Sequence, residues 1–594
     1  MTISSYAELL TAWCDGLLGL QAAECRWPSL SGGLWCPACS CIHGRCADAV
    51  YPLLAQARAT GADRYLDAAV RLQAWSDHVT LPDGSWLNDS LGHDWRGITV
   101  FGAIALGEAL RHHGDLLAAP VHARWRERFR RAIAFLDAFM TMETGNINYP
   151  VSCAAAFAIA AELLDTPRYA DRARAFAHDS LAYFSPNLLL FGEGSPHAGM
   201  TSRGCRAVDL GYNVEETLPN LALYGHLTGD AEVMDTVAAS LATHLEFLLP
   251  DGGWDNSWGS RNYKWTYWGS RTSDGCQLAC FLLADRDPRF AEAAARNTRM
   301  LAACTHDGLL YGGPHYRAHG ELPCSHHTFC HAKALATAMD YGAEMPATPV
   351  PLPRETADGI RVYPEIATHL LAIGPWRATV TANDWEYVPE GHAGGGALSL
   401  LWHDATGPLI TAGMTHYTST VEVTNMQPHR DGLNLPLTPH VVWETAGRIY
   451  RSCNDFTAEM VTREADKALL VQVNGMLVDR EHQSPAAGHI EVAMTYRLTP
   501  DAVTLTVQTS GTGTRFLLPI ISSSGEPVTR DADGTVVIAK PGGRVSIQSA
   551  TAPEFVTGST ARIFNHTPGH EALALAFQLE PGVPVEICLA VREQ

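Results

Sequence analysis

The chain has 594 residues, of which 46% are hydrophobic and 18% charged, and a formal net charge of −21. That length exceeds what one hydrophobic core supports and implies two or three domains. The acidic balance argues against non-specific binding to nucleic acid or an anionic membrane, yet leaves room for a local basic pocket.

The opening residues M-T-I-S-S-Y-A-E-L-L have neither a basic n-region nor an apolar h-region, and no run reaches spanning length, so a cytoplasmic location is expected. Fifteen scattered cysteines then read as reduced thiols. Four cluster at Cys36, Cys39, Cys41 and Cys46 in C-P-A-C-S-C-I-H-G-R-C. The first pair has zinc-knuckle spacing, but no second Cys-x-x-Cys completes it, and buried thiols at a helix start are the favoured reading. No cofactor and no metal are expected.

Residues 1–344 read as an all-α catalytic domain. Helical periodicity marks Tyr6–Leu20, Tyr65–Val79, Val100–His112, Trp125–Met142, Tyr169–Phe184, Val233–Leu249 and Arg289–Ala303. An internal repeat organises them: T-G-A-D-R-Y at Thr60 leads to L-P-D-G-S-W ending at Trp86, and T-G-D-A-E-V at Thr228 leads to L-P-D-G-G-W ending at Trp254, 168 positions on in each case. Stacked helical hairpins of this size form an open solenoid or a closed ring. The absence of capping repeats favours closure into an (α/α) toroid.

The repeat sets Arg45 opposite Asn213 and Asp48 opposite Glu216, with Tyr149 and the Ser270–Arg271 pair at the same level. One pocket is therefore expected to collect His43, Arg45, Asp48, Asn148, Tyr149, Asn213, Glu215, Glu216, Arg271 and Asp274. Helix capping explains Asn148 or Asp274, but not His43, Arg45 or the adjacent glutamates.

Trp254 to Cys276 reads as a loop holding four Trp, two Tyr, two Arg and a Lys. Flat aromatic faces beside cations suit a sugar ring bearing a carboxylate, so Trp254, Trp258, Arg261 and Tyr263 are candidate binding residues; the plainer alternative is that the aromatics fill the domain's own core. The last helical unit adds His315, His319, His326, His327 and His331. His327 and His331 share a helix face, but without H-E-x-x-H they do not make a zinc motif.

A Pro-rich linker is expected at 345–355. Beyond it, 356–594 alternates polar and apolar residues in short runs, which predicts an antiparallel β-sandwich domain. Its loops Met414–Thr420 and Met426–Gly432 are placed to close the toroid mouth.

A helical toroid followed by an antiparallel β domain resembles the toroid-plus-sandwich polysaccharide lyases, including the heparinase II/III-like and oligoalginate lyase families. The β domain lacks the heparinase-like His-rich signature. A second resemblance lies in E-T-L-P-N-L from Glu216, which is similar to the D-x-x-x-N-L segment of unsaturated glucuronyl hydrolases and would make Glu216 a catalytic acid; glycoside hydrolase family 154 β-glucuronidases are also compatible.

The lyase resemblance implies β-elimination on uronic acids of an acidic oligo- or polysaccharide, with exo-action expected. Asn213 and Arg271 would neutralise the carboxylate, while Tyr267, Tyr263, His326, His327 or His197 would move protons. The hydrolase alternative needs a second carboxylate beside Glu216, with Asp94 and Asp255 the better choices. A non-catalytic glycan-binding protein is a third reading. No nucleic-acid or membrane partner is expected, and a homodimer is compatible.

Overall fold

The computed structural model describes residues 1–23, 26, 27, 29–89, 93–417 and 435–593. Helix Tyr6–Leu20 buries Tyr6, Leu9, Leu10, Trp13, Cys14 and Leu17, the spacing of a single helical face, and Ser5 caps it. Helices Asp63–Trp75, Ala119–Phe139, Arg168–Ser180, Ala231–His244 and Pro288–Ala303 likewise bury one stripe and leave the other to solvent.

A second set is buried almost all round: Val50–Thr60, Thr99–His113, Asn148–Leu163, Leu218–Thr228, Gln277–Leu282 and Ser325–Asp340. Each packs on the next, and the last packs on the first. The inner set therefore closes a ring with the one-faced helices outside it. The repeat is visible in the backbone. Gly61 and Gly229 end corresponding inner helices with left-handed φ of 67° and 71°, which glycine adopts without a Cβ clash. Thr80 pairs with Trp86 as Leu248 does with Trp254. Among the described residues no helix is long and apolar enough to cross a membrane.

The β domain is antiparallel throughout, but has more layers than a two-sheet sandwich. Its strands form sheets of five, six and eight strands. Strands Trp376–Thr381 and Ala397–His403 of the five-stranded sheet are buried on both faces, as is most of His570–Leu579 in the six-stranded one. Strand Glu491–Leu498 of the eight-stranded sheet alternates buried and exposed residues, so that sheet forms the outer layer. One apolar core joins all three sheets through residues such as Leu398, Phe516 and Leu505.

The segment expected as a stiff linker runs exposed or half-exposed through residue 351, and its end is docked. Leu352 and Pro353 are buried, and Pro353–Thr356 is a short helix. From it Arg354 reaches under the five-stranded sheet to donate to Ala378 O at 3.1 Å and Thr379 Oγ1 at 3.0 Å.

Candidate active site

The inner helices deliver one charged network to the toroid interior. Arg45, on the turn Gly44–Ala49, meets Asp48 at 3.1 Å, Glu216 at 3.3 Å and Asp274 at 2.7 Å. Lys333, from Ser325–Asp340, meets Asp274 at 2.6 Å and Asp48 at 3.3 Å. Asn148 Nδ2 donates to Glu216 Oε2 at 2.7 Å. The levels inferred from the repeat thus touch across the ring. Burial chiefly, with Asp274 adding and Arg45 opposing, pushes the Glu216 carboxyl up to about 8. Burial also works against the Asp274 carboxylate, but Lys333 and Arg45 overcome it and hold its pKa below the usual value.

Glu215 turns away from its neighbour. Its Oε2 accepts from Ser270 N at 2.9 Å and its Oε1 lies 3.7 Å from His331 Nε2, so the two glutamates serve different walls. Asn213 also departs from its expected place. Its amide nitrogen donates to Leu190 O at 2.9 Å and faces His244 Nε2 at 3.1 Å, while His244 Nδ1 donates to Ser240 O. Both amide hydrogens are therefore used in the toroid wall, and the group has none left to neutralise a uronate.

Tyr267 is not placed to act as a base. Its hydroxyl donates to Asp251 Oδ2 at 2.8 Å and its ring packs on His570. Burial, followed by Asp251, raises its pKa well above the ordinary phenol value. Trp254 and Trp258 are wholly buried and are not sugar platforms. Trp254 O accepts from Trp265 Nε1, and Trp258 O accepts from Asn383 Nδ2 of the β domain. Between them, Asp255 accepts from Thr379 Oγ1 and Ser257 Oγ, and Ser257 Oγ lies 2.8 Å from Ser399 Oγ. Trp258, Asp255 and Ser257 thus anchor one domain to the other. Asp255 is committed to that joint and Asp94 is exposed, so neither faces Glu216 as a second acid.

The histidines divide similarly. His326 is buried on Phe329, and neither ring nitrogen has a hydrogen-bond partner among the described residues. Burial, then Arg45, holds its pKa well below the usual value. Burial, then Arg271, lowers His327 to about 3. Both are neutral imidazoles at neutral pH. His43 directs Nε2 to Cys324 Sγ at 3.5 Å instead of into a cleft. His197 donates from Nε2 to Gly145 O at 2.7 Å, which steadies the Gly145–Asn146 loop.

Beside that loop lies a tyrosine cluster around Arg261. The Arg261 guanidinium lies 4.0 Å from the Tyr212 ring centre and 5.6 Å from that of Tyr387, and it pairs with Glu193 at 2.9 Å. Tyr263 stacks on Tyr387 at 5.8 Å, and Asn146 Nδ2 donates to the Tyr387 hydroxyl at 3.4 Å. The Tyr212 hydroxyl hydrogen-bonds Thr272 Oγ1. Half-buried Tyr149 and Trp95 pack edge to face next to the same loop. Glu193 is raised to about 7 by burial, against the pull of Arg261.

Tyr417, from the β-domain loop expected to close the mouth, reaches Arg271 Nη1 at 3.3 Å and packs with Tyr263 and Met414. Arg271 also contacts the His566 carbonyl and Thr567 Oγ1. The second closing loop, Met426–Gly432, lies outside the described residues.

Tyr212, Asn146, Tyr387 and Lys333 were not singled out in sequence. Lys333 did carry a signal, as a lone cation within the apolar run A-K-A-L-A. Asp48 and Asp274 also converge with Cys330, but Arg45 and Lys333 already neutralise the two carboxylates without a metal.

Chemically, the site offers phenols beside buried cations, neutral imidazoles and aromatic walls. The Ulvan lyase N-terminal domain family matches residues 10–355, and the Ulvan lyase C-terminal domain family matches residues 360–592. The broad-specificity ulvan lyase of Formosa agariphila is 38% identical over 585 residues, 97% of this chain and 91% of that one. Among solved structures, the Streptomyces coelicolor A3 chondroitin AC lyase superposes with a TM-score of 0.56 at 14% identity, covering 99% of this chain and 79% of the other. A heparinase III aligns over 99% of this chain and 84% of its own, with a TM-score of 0.49 at 9% identity. The likeness to chondroitin AC lyase is one of fold; the sequence matches span both domains, and by them the chain belongs to the ulvan lyase family and is a polysaccharide lyase.

Proposed function

We propose that the chain degrades a uronate-bearing polysaccharide of the ulvan class, and that Tyr212 moves the proton in its β-elimination. In such a step the C5 hydrogen leaves as a proton, the C4–O bond breaks, and its electron pair departs with the leaving oxygen, which is then protonated. A C4–C5 double bond remains. The observation that carries the assignment is the Arg261 guanidinium 4.0 Å from the Tyr212 ring centre. A cation over a phenol ring is attracted more strongly once the ring is a phenolate, so Arg261 favours the deprotonated base.

Asn146 is the amide we assign to the substrate carboxylate, in place of Asn213. It is buried beside half-buried Gly145 and Tyr149, its loop is held by His197, and a hydrogen bond to a developing enolate is worth most in a dry, pre-organised site. Trp95 and Tyr149 supply aromatic faces for sugar stacking. We also assign a reducing, cytoplasmic compartment, supported by fourteen cysteines among the described residues, all of them free.

The test is ultraviolet absorbance of the conjugated unsaturated uronate, followed on ulvan with wild type, Tyr212→Phe and Asn146→Ala. The assignment expects the signal in wild type and its loss in both variants. New reducing ends without the absorbance would defeat the elimination itself, whereas full activity in Tyr212→Phe would defeat only the choice of base.

A further inference from the structure

Four ligand-type side chains meet where the start and end of the toroid join. Cys36 and Cys39 belong to a hairpin formed by Trp35–Cys36 and Cys41–Ile42. Ser40 tightens its turn, with φ 53° and its N–H donating to Cys36 O at 2.9 Å. Cys39 N donates to Cys36 Sγ at 3.4 Å, a contact that favours a thiolate. His43 precedes the turn Gly44–Ala49, and Cys324 is the residue before helix Ser325–Asp340, 285 positions from Cys39.

The distances have the dimensions of a coordination shell. Cys324 Sγ lies 3.5 Å from Cys36 Sγ, 3.7 Å from Cys39 Sγ and 3.5 Å from His43 Nε2, and all four ligand atoms lie within 4.8 Å of one another. A tetrahedral zinc ion, about 2.3 Å from sulfur and about 2.0 Å from nitrogen, sets sulfur–sulfur edges of about 3.8 Å and sulfur–nitrogen edges of about 3.5 Å. A disulfide, at about 2.05 Å, is far shorter. Cys36, His43 and Cys324 are buried and Cys39 partly so. Packing alone gives no reason for three thiols and an imidazole from both ends of a domain to turn toward one point. Cys41 and Cys46, neighbours in sequence, do not join the group.

We propose that Cys36, Cys39, His43 and Cys324 hold one structural zinc ion that fastens the N-terminal hairpin to the last inner helix and so locks the toroid ring. Thiolate and imidazole donors select zinc over hard cations, and four protein ligands leave no open position for substrate or water. Binding releases the thiol protons, and because the ligands come from both ends of the ring, its free energy is stability of the closed ring.

The experiment takes the full-length protein purified without chelator and without a metal-affinity step. Elemental analysis should find about one zinc per chain. Cys324→Ser and Cys39→Ser should lower that content at least fivefold, while Cys588→Ser, in the β domain, should leave it unchanged. Stripping wild type with a chelator should lower its Tm, and zinc should restore it. Cobalt added to stripped wild type should give the visible absorption of a tetrahedral thiolate site, a readout independent of whether the variants fold. Zinc-free protein whose Tm does not respond to added zinc, or a disulfide among these three cysteines in freshly purified protein, would overturn the proposal.

Discussion

Glu216→Gln is the substitution that best tests the charge balance inside the toroid. Arg45 and Lys333 supply two positive charges, and Asp48, Asp274 and Glu216 supply three carboxyl groups in the same buried cluster. A proton on Glu216 makes the charges equal, in keeping with its pKa near 8. Glutamine resembles that protonated form. It can keep an oxygen toward Asn148 and lose the longer 3.3 Å contact with Arg45, at a cost of about 1 kcal/mol. Arg45→Met instead strands buried carboxylates and should cost about 3–5 kcal/mol.

The pH dependence gives a second reading of the same group. Unfolded Glu216 ionises near its ordinary value of 4.5, whereas the folded protein keeps the proton to about 8. Its stabilising contribution is complete below the unfolded value and falls by about 1.4 kcal/mol per pH unit until it is lost through the folded value. Urea unfolding should therefore show wild type losing roughly 2–3 kcal/mol more than Glu216→Gln between about pH 5 and 7. Equal pH slopes in the two proteins, together with a cost for Glu216→Gln as large as that of Arg45→Met, would refute the neutral glutamate.

Tyr212→Phe should lower kcat by about 10²–10⁴ while changing stability by only about 1 kcal/mol, read from elimination rates and thermal melting side by side. Tyr267→Phe, which removes a hydroxyl tied to Asp251, should leave kcat within about twofold and cost about 1 kcal/mol in melting experiments. Arg261→Met should be more harmful than Arg261→Lys in stability, because the buried Glu193 loses its cation partner in the first and keeps one in the second; unfolding curves should separate the two by about 2 kcal/mol or more.

Legibility followed the physics of each element. The outer helices announce themselves because each has one solvent face and hence a 3.6-residue pattern, as in Pro288–Ala303. Asn148–Leu163 is buried almost all round, so its Ala-rich run carries no such pattern, and the repeat places only Tyr149 at its start. That repeat also located Arg45, Asp48 and Glu216 correctly at one level, because equivalent hairpins place equivalent positions at the same height in the ring. It could not say which way Asn213 points: one residue's rotation about a helix separates the cavity from the wall. The third sheet was hidden because alternation reports that a strand has two faces, but not how many layers cover them. Cys324 could not be paired with Cys36 by spacing, since closure of the ring is what makes them neighbours.

The Trp254–Cys276 stretch shows how packing and chemistry divide within one loop. Its four tryptophans are wholly buried, and its Ser257 and Asp255 are bonded to the five-stranded sheet. Such burial is worth roughly 2–3 kcal/mol per large side chain, enough to hold an irregular loop in one conformation. The polar residues between the anchors are then presented at set positions: Arg261 against Tyr212, Tyr263 against Tyr387, and Arg271 against Tyr417. Arg261, Lys264 and Arg271 are the cations this loop brings to the tyrosines, and of these Arg261 is also paired with Glu193. On the proposed assignment, a strongly acidic chain handles an anionic polymer through positive charge buried at one joint between the domains, and the tryptophans serve substrate only through the residues they hold in place.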